Sequence, residues 1–500
     1  MKIADLRVQD LFDYLSSQAR IAFKSEYLIA NEVLCKTETS ASIQELYLSG
    51  STPEVSFFER LCQLLRYGIR GTAWLGLYGI LHVVYLLSGQ KQALPESKEI
   101  VLLDVYFVIR KILEEGKYSD HFFSGLEAVL RERGKTYIYS PRFFGSYRPT
   151  DLYRLFRLLK KGKTPVIVEF QGMGFGDYWR ALRFLVGYPW QLLGFLRQLG
   201  NSREDRLLRF ALWRGLDGVA LKNYMRYLFG RRLAGSAVGR LHCISWYENK
   251  SAEKNFYRGL RSVSGKSRIY GARLFLWPDT ILNLYPDTKE MGFDLVPDRI
   301  LENGPYYVSR QTGLDCRVGP SLRYRHIFEQ VAHPADGQHI LIVLPYWDMV
   351  VRRILKLIRQ IPWPSPVLLK FHPSVDPELY RKEIGSSFEV SNEDLPRLLV
   401  RARCVIGQST GTLIEAASMG IPVIVIECPE VRSYDYMPAF GKDIIWDKVV
   451  DARTLVQSLS RFELLLSQDP DRLSAAASQF KEQFFCYPSP DKIAEAFDLL

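Results

Sequence analysis

Residues 407–416 read Gly407-Gln408-Ser409-Thr410-Gly411-Thr412-Leu413-Ile414-Glu415-Ala416, and Gly420-Ile421-Pro422-Val423 follows shortly after. The apolar run 404–407 predicts a strand, the hydroxyl-bearing residues a turn, and residues 412–419 a helix. Gly420 closes that helix, and Pro422 opens another strand over 422–426. A strand ending in such a turn aims the first amides of the helix, and its positive dipole end, at whatever sits in the turn, which favours a phosphate. Ser409, Thr410 and Thr412 add hydroxyl donors around Gly411. Glu415, one turn into the helix, can accept from two vicinal hydroxyls of the kind a ribose presents. An ordinary helix start with Glu415 as a capping-box carboxylate stays open at this point.

Upstream, Lys370-Phe371-His372-Pro373-Ser374 closes a predicted strand over 367–371. A histidine there can donate to a phosphate oxygen, or protonate a leaving phosphate as its charge develops, and Pro373 stiffens the turn that aims it. Further runs at 340–345 and 388–390 read as strands, with helices over 349–361 and 393–402, the latter with Ser391 as its N-cap. Short strands separated by helix-length segments make a doubly wound parallel sheet, whose ligands sit at the strand carboxyl ends.

The His-Pro turn, the hydroxyl turn-helix and the Gly-x-Pro-Val strand together resemble the nucleotide half of GT-B glycosyltransferases. They are most similar to the bacterial surface-polysaccharide enzymes that use CMP-linked acidic sugars: capsule 3-deoxy-manno-octulosonic acid (Kdo) transferases and sialyltransferases. Related turns occur in CDP-glycerol glycerophosphotransferases. The likeness covers roughly residues 340–428. It implies a donor site in which Lys370, His372, Pro373, Ser409, Thr410, Gly411 and Thr412 surround the nucleotide phosphate and Glu415 meets the ribose. It implies no metal and no cofactor beyond the nucleotide-sugar donor itself. The paired-acid-glycine acceptor motif of sialyltransferases is missing, which points away from sialic acid.

An acceptor half must supply a carboxylate. Ser245-Trp246-Tyr247-Glu248-Asn249-Lys250 follows a predicted strand at 241–245, so Glu248 can take a proton from an attacking hydroxyl, or act as nucleophile if configuration is retained. Residues 246–261 also resemble a motif of uncharacterised surface-carbohydrate biosynthesis proteins. A carboxylate that merely complements a helix start is the other reading of Glu248. The loop at 169–177, after a predicted strand over 164–170, offers Gln171, Gly174 and Asp177 as acceptor-side or loop contacts, with Glu169 or Asp177 as a fallback base. Arg317, Arg323 and Arg325 can meet an anionic donor.

The chain has 500 residues, beyond the roughly 250–300 at which one core stops growing, so two domains are expected. The organisation predicted is a helical N-terminal region over 1–98, an acceptor-side α/β domain over 99–319 with a helical insertion at 178–233, a linker, and a nucleotide-sugar domain with terminal helices over 339–500. The predicted fold class is α/β, GT-B-like, with two Rossmann-like domains and a partly membrane-associated helical N-terminal region.

Hydrophobic residues make up 47% and charged residues 24%, which excludes a largely disordered or fibrous chain. The net charge of +11 favours anionic partners. Basic residues concentrate at 142–163 and 203–232 without any nucleic-acid-binding motif, so an anionic membrane is expected and nucleic acid is not. Seven scattered cysteines with no CxxC pair suit a reducing compartment. Acidic residues within the first thirty speak against a secretory leader. Residues 71–87 carry no formal charge, and as a helix they span about 25 Å, short of the roughly 30 Å hydrocarbon layer. A helix lying in one leaflet, a core helix and a full span are the three readings.

The function expected is transfer of a sugar from a nucleotide donor, CMP-linked for preference, to a lipid-linked surface glycan (lipopolysaccharide or capsule) at the cytoplasmic face of the inner membrane. A CDP-glycerol-type phosphotransferase, a UDP-sugar epimerase and a non-catalytic assembly partner remain as alternatives.

Overall fold

The computed structural model describes residues 6–37, 40–89, 93–145, 147–171, 173–263, 265, 267–278, 280–308, 313–429 and 433–500. Gly172, in the expected glycine-rich loop, lies outside them.

Six parallel strands form the first sheet: β1 (Glu99–Val108), β2 (Tyr137–Phe144), β3 (Arg240–Trp246), β4 (Ser267–Ala272), β5 (Arg299–Glu302) and β6 (Cys316–Val318). Their spatial order is β2-β1-β3-β4-β5-β6. Direction reverses between β1 and β3, where the register sets Asp104 beside Ser245. The strand expected over 164–170 is reduced to a single bridge between Val166 and Tyr139. Pro165 has no N–H to continue a ladder, and the chain turns at Gln171, whose amide donates to the Val168 carbonyl.

The second sheet holds β7 (His339–Leu344), β8 (Val367–Phe371), β9 (Glu389–Val390), β10 (Ala402–Gly407), β11 (Val423–Ile426) and β12 (Trp446–Val449). All are parallel, in the order β12-β11-β10-β7-β8-β9. Strand β7 is buried along its whole length, as a run of aliphatic residues covered on both faces must be. The sheet grows one way through β8 and the other through β10, so the switch point opens between β7 and β10. Helix Leu395–Val400 starts later than expected: Ser391 accepts from the Glu393 amide ahead of it instead of capping it.

The two sheets make the GT-B-like pair of Rossmann-like domains. The helical insertion consists of helices Phe175–Leu196, Arg203–Arg214 and Val219–Ser236. The N-terminal segment is tied to the first domain by buried charge. Lys36 Nζ lies 2.8 Å from Glu290 and 3.2 Å from Asp287, and Lys254 Nζ lies 2.7 Å from Glu290. The terminal helices pack on both domains: Leu455, Leu459 and Phe462 of helix Ala452–Gln468 join the second domain's core, and Phe480 meets Phe440 with ring centres 4.9 Å apart, while the end of the chain reaches the first domain. Phe484, on helix Pro470–Phe484, packs on Tyr306 with ring centres 4.3 Å apart, and the Tyr270 hydroxyl donates to Asp498 at 2.7 Å. The chain thus crosses back onto the first domain.

The helix expected over 71–87 begins earlier. It runs Phe57–Ser88, opened by a capping box between Ser56 and Glu59 and closed by Gly89 at φ +67°. It is fastened to the first domain where Tyr78 donates to Glu169 Oε2 at 2.6 Å and Tyr85 meets Phe156 with ring centres 5.5 Å apart.

Candidate functional site

Three strand ends surround the switch point of the second sheet. β8 and β10 flank β7, so the residues after them stand about two strand spacings, roughly 10 Å, apart. After β8 comes His372, whose amide donates to the Leu344 carbonyl at 3.0 Å. The Ser374 amide donates to His372 Nδ1 at 3.2 Å, and the Ser374 hydroxyl lies 2.7 Å from the same nitrogen. An Nδ1 that accepts must be unprotonated, so the neutral ring carries its proton on Nε2, directed away from the turn. Desolvation, with the charge of Arg323 adding to it, holds this imidazole below the ordinary histidine range. Lys370 points elsewhere: its ammonium donates to the Glu393 carbonyl at 2.6 Å.

After β10, Ser409 adopts a left-handed backbone (φ +55°), with its amide donating to Gln408 Oε1 at 2.8 Å. Its hydroxyl accepts from the Tyr434 amide at 2.9 Å, which draws that loop over the turn. Thr410 Oγ1 accepts from the Thr412 amide at 3.3 Å. The turn therefore satisfies several of its own amides, and the hydroxyls, rather than a row of free helix amides, are what it offers a ligand. Gly411 is needed for close packing of the two domains: a Cβ there would stand 3.0 Å from the Leu276 side chain of the first domain. After β7, Tyr346 meets His372 (ring centres 5.4 Å) and Trp347 meets Tyr434 (4.7 Å). This aromatic wall links the His-Pro turn to the hydroxyl turn. Glu415 is buried, with His326 Nε2 at 3.1 Å from its Oε2.

Across from this wall stands the end of β3. The Trp246 indole N–H donates to Glu248 Oε1 at 2.6 Å, and Lys250 pairs with the other oxygen. Burial pushes the Glu248 carboxyl up, but Lys250, Arg142 and the indole N–H outweigh it, so the group is held below the usual range and stays ionised. The helix-start role falls instead to Glu253, which accepts from the Glu248 and Lys250 amides at 2.8 and 3.2 Å. Glu253 also pairs with Arg142 at 2.7 Å, and Arg142 lies 3.4 Å from Asp104. Asp104 in turn takes Arg226 at 2.9 Å, and Arg226 reaches Glu169 at 2.8 Å. Glu169 is thus spent on Arg226 and Tyr78.

Asp177 is not brought to this cleft as a base. Buried, it accepts from the Gly174 amide at 3.1 Å and pairs with Arg180 (3.1 Å) and Arg232 (2.6 Å), so it anchors the start of helix Phe175–Leu196. Gln171 sits in the turn before it. The one literal Asp-x-Asp of the sequence, Asp469-Pro470-Asp471, lies at a helix start, where Asp469 accepts from the Arg472 amide.

No family model matches the chain, and no curated protein matches it. Solved structures resemble it at low identity. A UDP-N-acetylglucosamine 2-epimerase aligns at 11% identity and a TM-score of 0.44, over 80% of this chain and 95% of its own. The wall teichoic acid polymerase TagF aligns at 10% and 0.39, over 89% and 97%. Acinetobacter baumannii MurG aligns at 13% and 0.38, over 81% and 100%. These likenesses carry no residue roles to this chain, whose fold rests on its own strand order.

Of the three arginines near the linker, one has no carboxylate partner among the described residues. Arg317 forms two hydrogen bonds with Asp315, and Arg325 pairs with Glu329. Arg323 is exposed and meets no carboxylate among the described residues. Its guanidinium lies 5.6 Å from the Trp246 ring centre and 5.8 Å from that of Phe122. It also donates to the Leu274 carbonyl at 3.3 Å, and its charge adds to the depression of the His372 pKa. Sequence reasoning did not separate Arg323 from its neighbours and passed over His326, Tyr346 and Trp347. The last two follow a strand carboxyl end, which is the signal that marks them.

Proposed function

We propose that the protein is a glycosyltransferase that moves a sugar from a nucleotide donor, a CMP-linked acidic sugar such as Kdo by preference, to a lipid-linked surface polysaccharide at the cytoplasmic face of the inner membrane. One observation carries the reading. His372 follows β8 and the Ser409–Thr410 turn follows β10, the two strands on either side of β7 at the switch point of one parallel sheet.

In this reading the acceptor oxygen attacks the anomeric carbon as the bond from that carbon to the donor phosphate breaks. The departing phosphate keeps the bonding electrons. His372, the two hydroxyls and Arg323 stabilise the charge where it develops, so no metal is required. Glu248, already ionised, receives the acceptor proton. Its depressed pKa makes it a weak base, which suits a proton that leaves late, after the acceptor oxygen has begun to bond. Glu415 meets the ribose, and His326 must yield or share that carboxylate as the donor enters. Lys370 contributes to the turn only through its backbone.

The test is a thermal-shift screen with CMP, CDP, UDP and GDP, followed by turnover of CMP-Kdo, CDP-glycerol and a UDP-sugar. Stabilisation by CMP and acceptor-dependent turnover of the CMP-sugar are expected. Turnover of CDP-glycerol, or conversion of a free UDP-sugar without acceptor, reassigns the chemistry. No nucleotide binding at all removes the enzyme reading.

A further inference from the structure

The long helix Phe57–Ser88 is built with two opposite faces. Tyr67, Gly71, Tyr78, Leu81 and Tyr85 are buried against the protein. Helix Phe175–Leu196 lies beside it in antiparallel fashion: Leu185 fills the space that Gly71 leaves, Tyr188 meets Tyr67, and Tyr178 meets His82.

The outward faces of both helices are apolar. On the first, Phe58, Leu61, Leu65, Ile69, Ile80 and Val83 recur at helical spacing and are exposed, Ile69 at 71%. On the second, Phe175, Trp179, Leu182, Val186 and Trp190 form a matching stripe, with Trp190 at 70%. A soluble surface rarely leaves a contiguous apolar patch of two helix faces in water. The charge around it has one sign. Each helix contains a single acid: Glu59, spent on the capping box, and Asp177, buried under two arginines. Arg66, Arg183 and Arg197 are exposed and meet no carboxylate among the described residues, and Arg70, also exposed, has Asp217 as its nearby acid.

We propose that this paired-helix face is an in-plane dock for an anionic phospholipid surface, with both helix axes parallel to the membrane, the aliphatic and tryptophan side chains in the acyl boundary, and the four arginines among the headgroups. The first helix is long and apolar enough to cross a bilayer by length and composition. It does not cross, because one face is bonded to the protein from Tyr67 to Tyr85, and the exposed stripe follows the axis from end to end. A spanning helix would have to abandon the Tyr78–Glu169 bond and the Tyr85–Phe156 contact. The geometry of an in-plane amphipathic helix, apolar on one side with arginines at its edges, is the one present. This deepens the membrane part of the proposed function and rests on none of its donor chemistry.

The test is flotation of the full chain with vesicles of phosphatidylcholine alone and with phosphatidylglycerol added. The chain is expected to float with the anionic vesicles and to be released by alkaline carbonate. V186D/W190D, changed only at exposed positions, should lose most of that partitioning while keeping its melting temperature. Each of R66Q, R70Q and R183Q should lose about fivefold on anionic vesicles alone, the size of one arginine near a charged surface. Three results overturn the proposal: unchanged flotation of V186D/W190D, retention through the carbonate wash, or a lipid-free dimer that the same double substitution dissociates. Nucleotide binding measured on the same samples reports separately on the donor site.

Discussion

His372→Ala separates the proposed site from a bland strand-end turn most sharply. Among the described residues the ring meets Ser374 and Tyr346, and it is exposed, so its removal leaves the core intact. What is lost is one neutral donor to an anion. A hydrogen bond to a charged group contributes about 1.5–3 kcal/mol, and at an exposed position the lower end applies, about tenfold in affinity. At a CMP concentration about 100 times the wild-type Kd, ligand stabilises the wild type by about 2.7 kcal/mol and the variant by about 1.4 kcal/mol, a difference that thermal shift or calorimetry resolves. The pH dependence adds a second reading. His372 is held below its ordinary value, so it is neutral in the free protein near neutral pH. A phosphate favours the imidazolium, so binding raises that pKa and CMP affinity rises as the pH falls through the histidine range. In the variant this rise flattens. An affinity within about twofold of wild type, or an unchanged pH slope, refutes the role of the imidazole.

Three further outcomes are expected. Lys250→Met removes the principal cation holding Glu248 down, so the acidic limb of the turnover profile moves up by about one pH unit; an unmoved limb takes Glu248 out of the proton transfer. Arg323→Ala weakens nucleotide binding about tenfold by calorimetry, whereas Arg317→Ala, whose guanidinium is already bound to Asp315, leaves it unchanged. Lys36→Met leaves Asp287 buried without its cation and costs about 3–5 kcal/mol in urea unfolding, with the donor site untouched in the fraction that remains folded.

The second sheet was legible because its strands are short aliphatic runs bounded by turn residues, and each motif lies directly after one of them. The first sheet was less so. β4, β5 and β6 are three to six residues long and carry Arg, Tyr, Gly and Glu, so no periodicity marks them. The run at 164–170 looked like a strand by composition but contains Pro165. Within the site, Asp177 and Glu169 looked available because sequence shows a carboxylate but not the arginine that neutralises it. Arg226 and Arg232, more than fifty residues away, take them.

Local chemistry by itself settled that a hydroxyl turn and a His-Pro turn cap two strands of one parallel sheet, since alternating strand and helix signals and turn residues are properties of neighbouring positions. Only the tertiary structure decided that those turns flank β7, that Arg323 is the arginine near the linker with no carboxylate partner among the described residues, and that helix Phe175–Leu196 doubles the apolar face of the N-terminal helix. Strand order, ion-pair partners and the solvent side of a helix depend on residues far apart in the chain, and sequence spacing carries no information about distances of that kind.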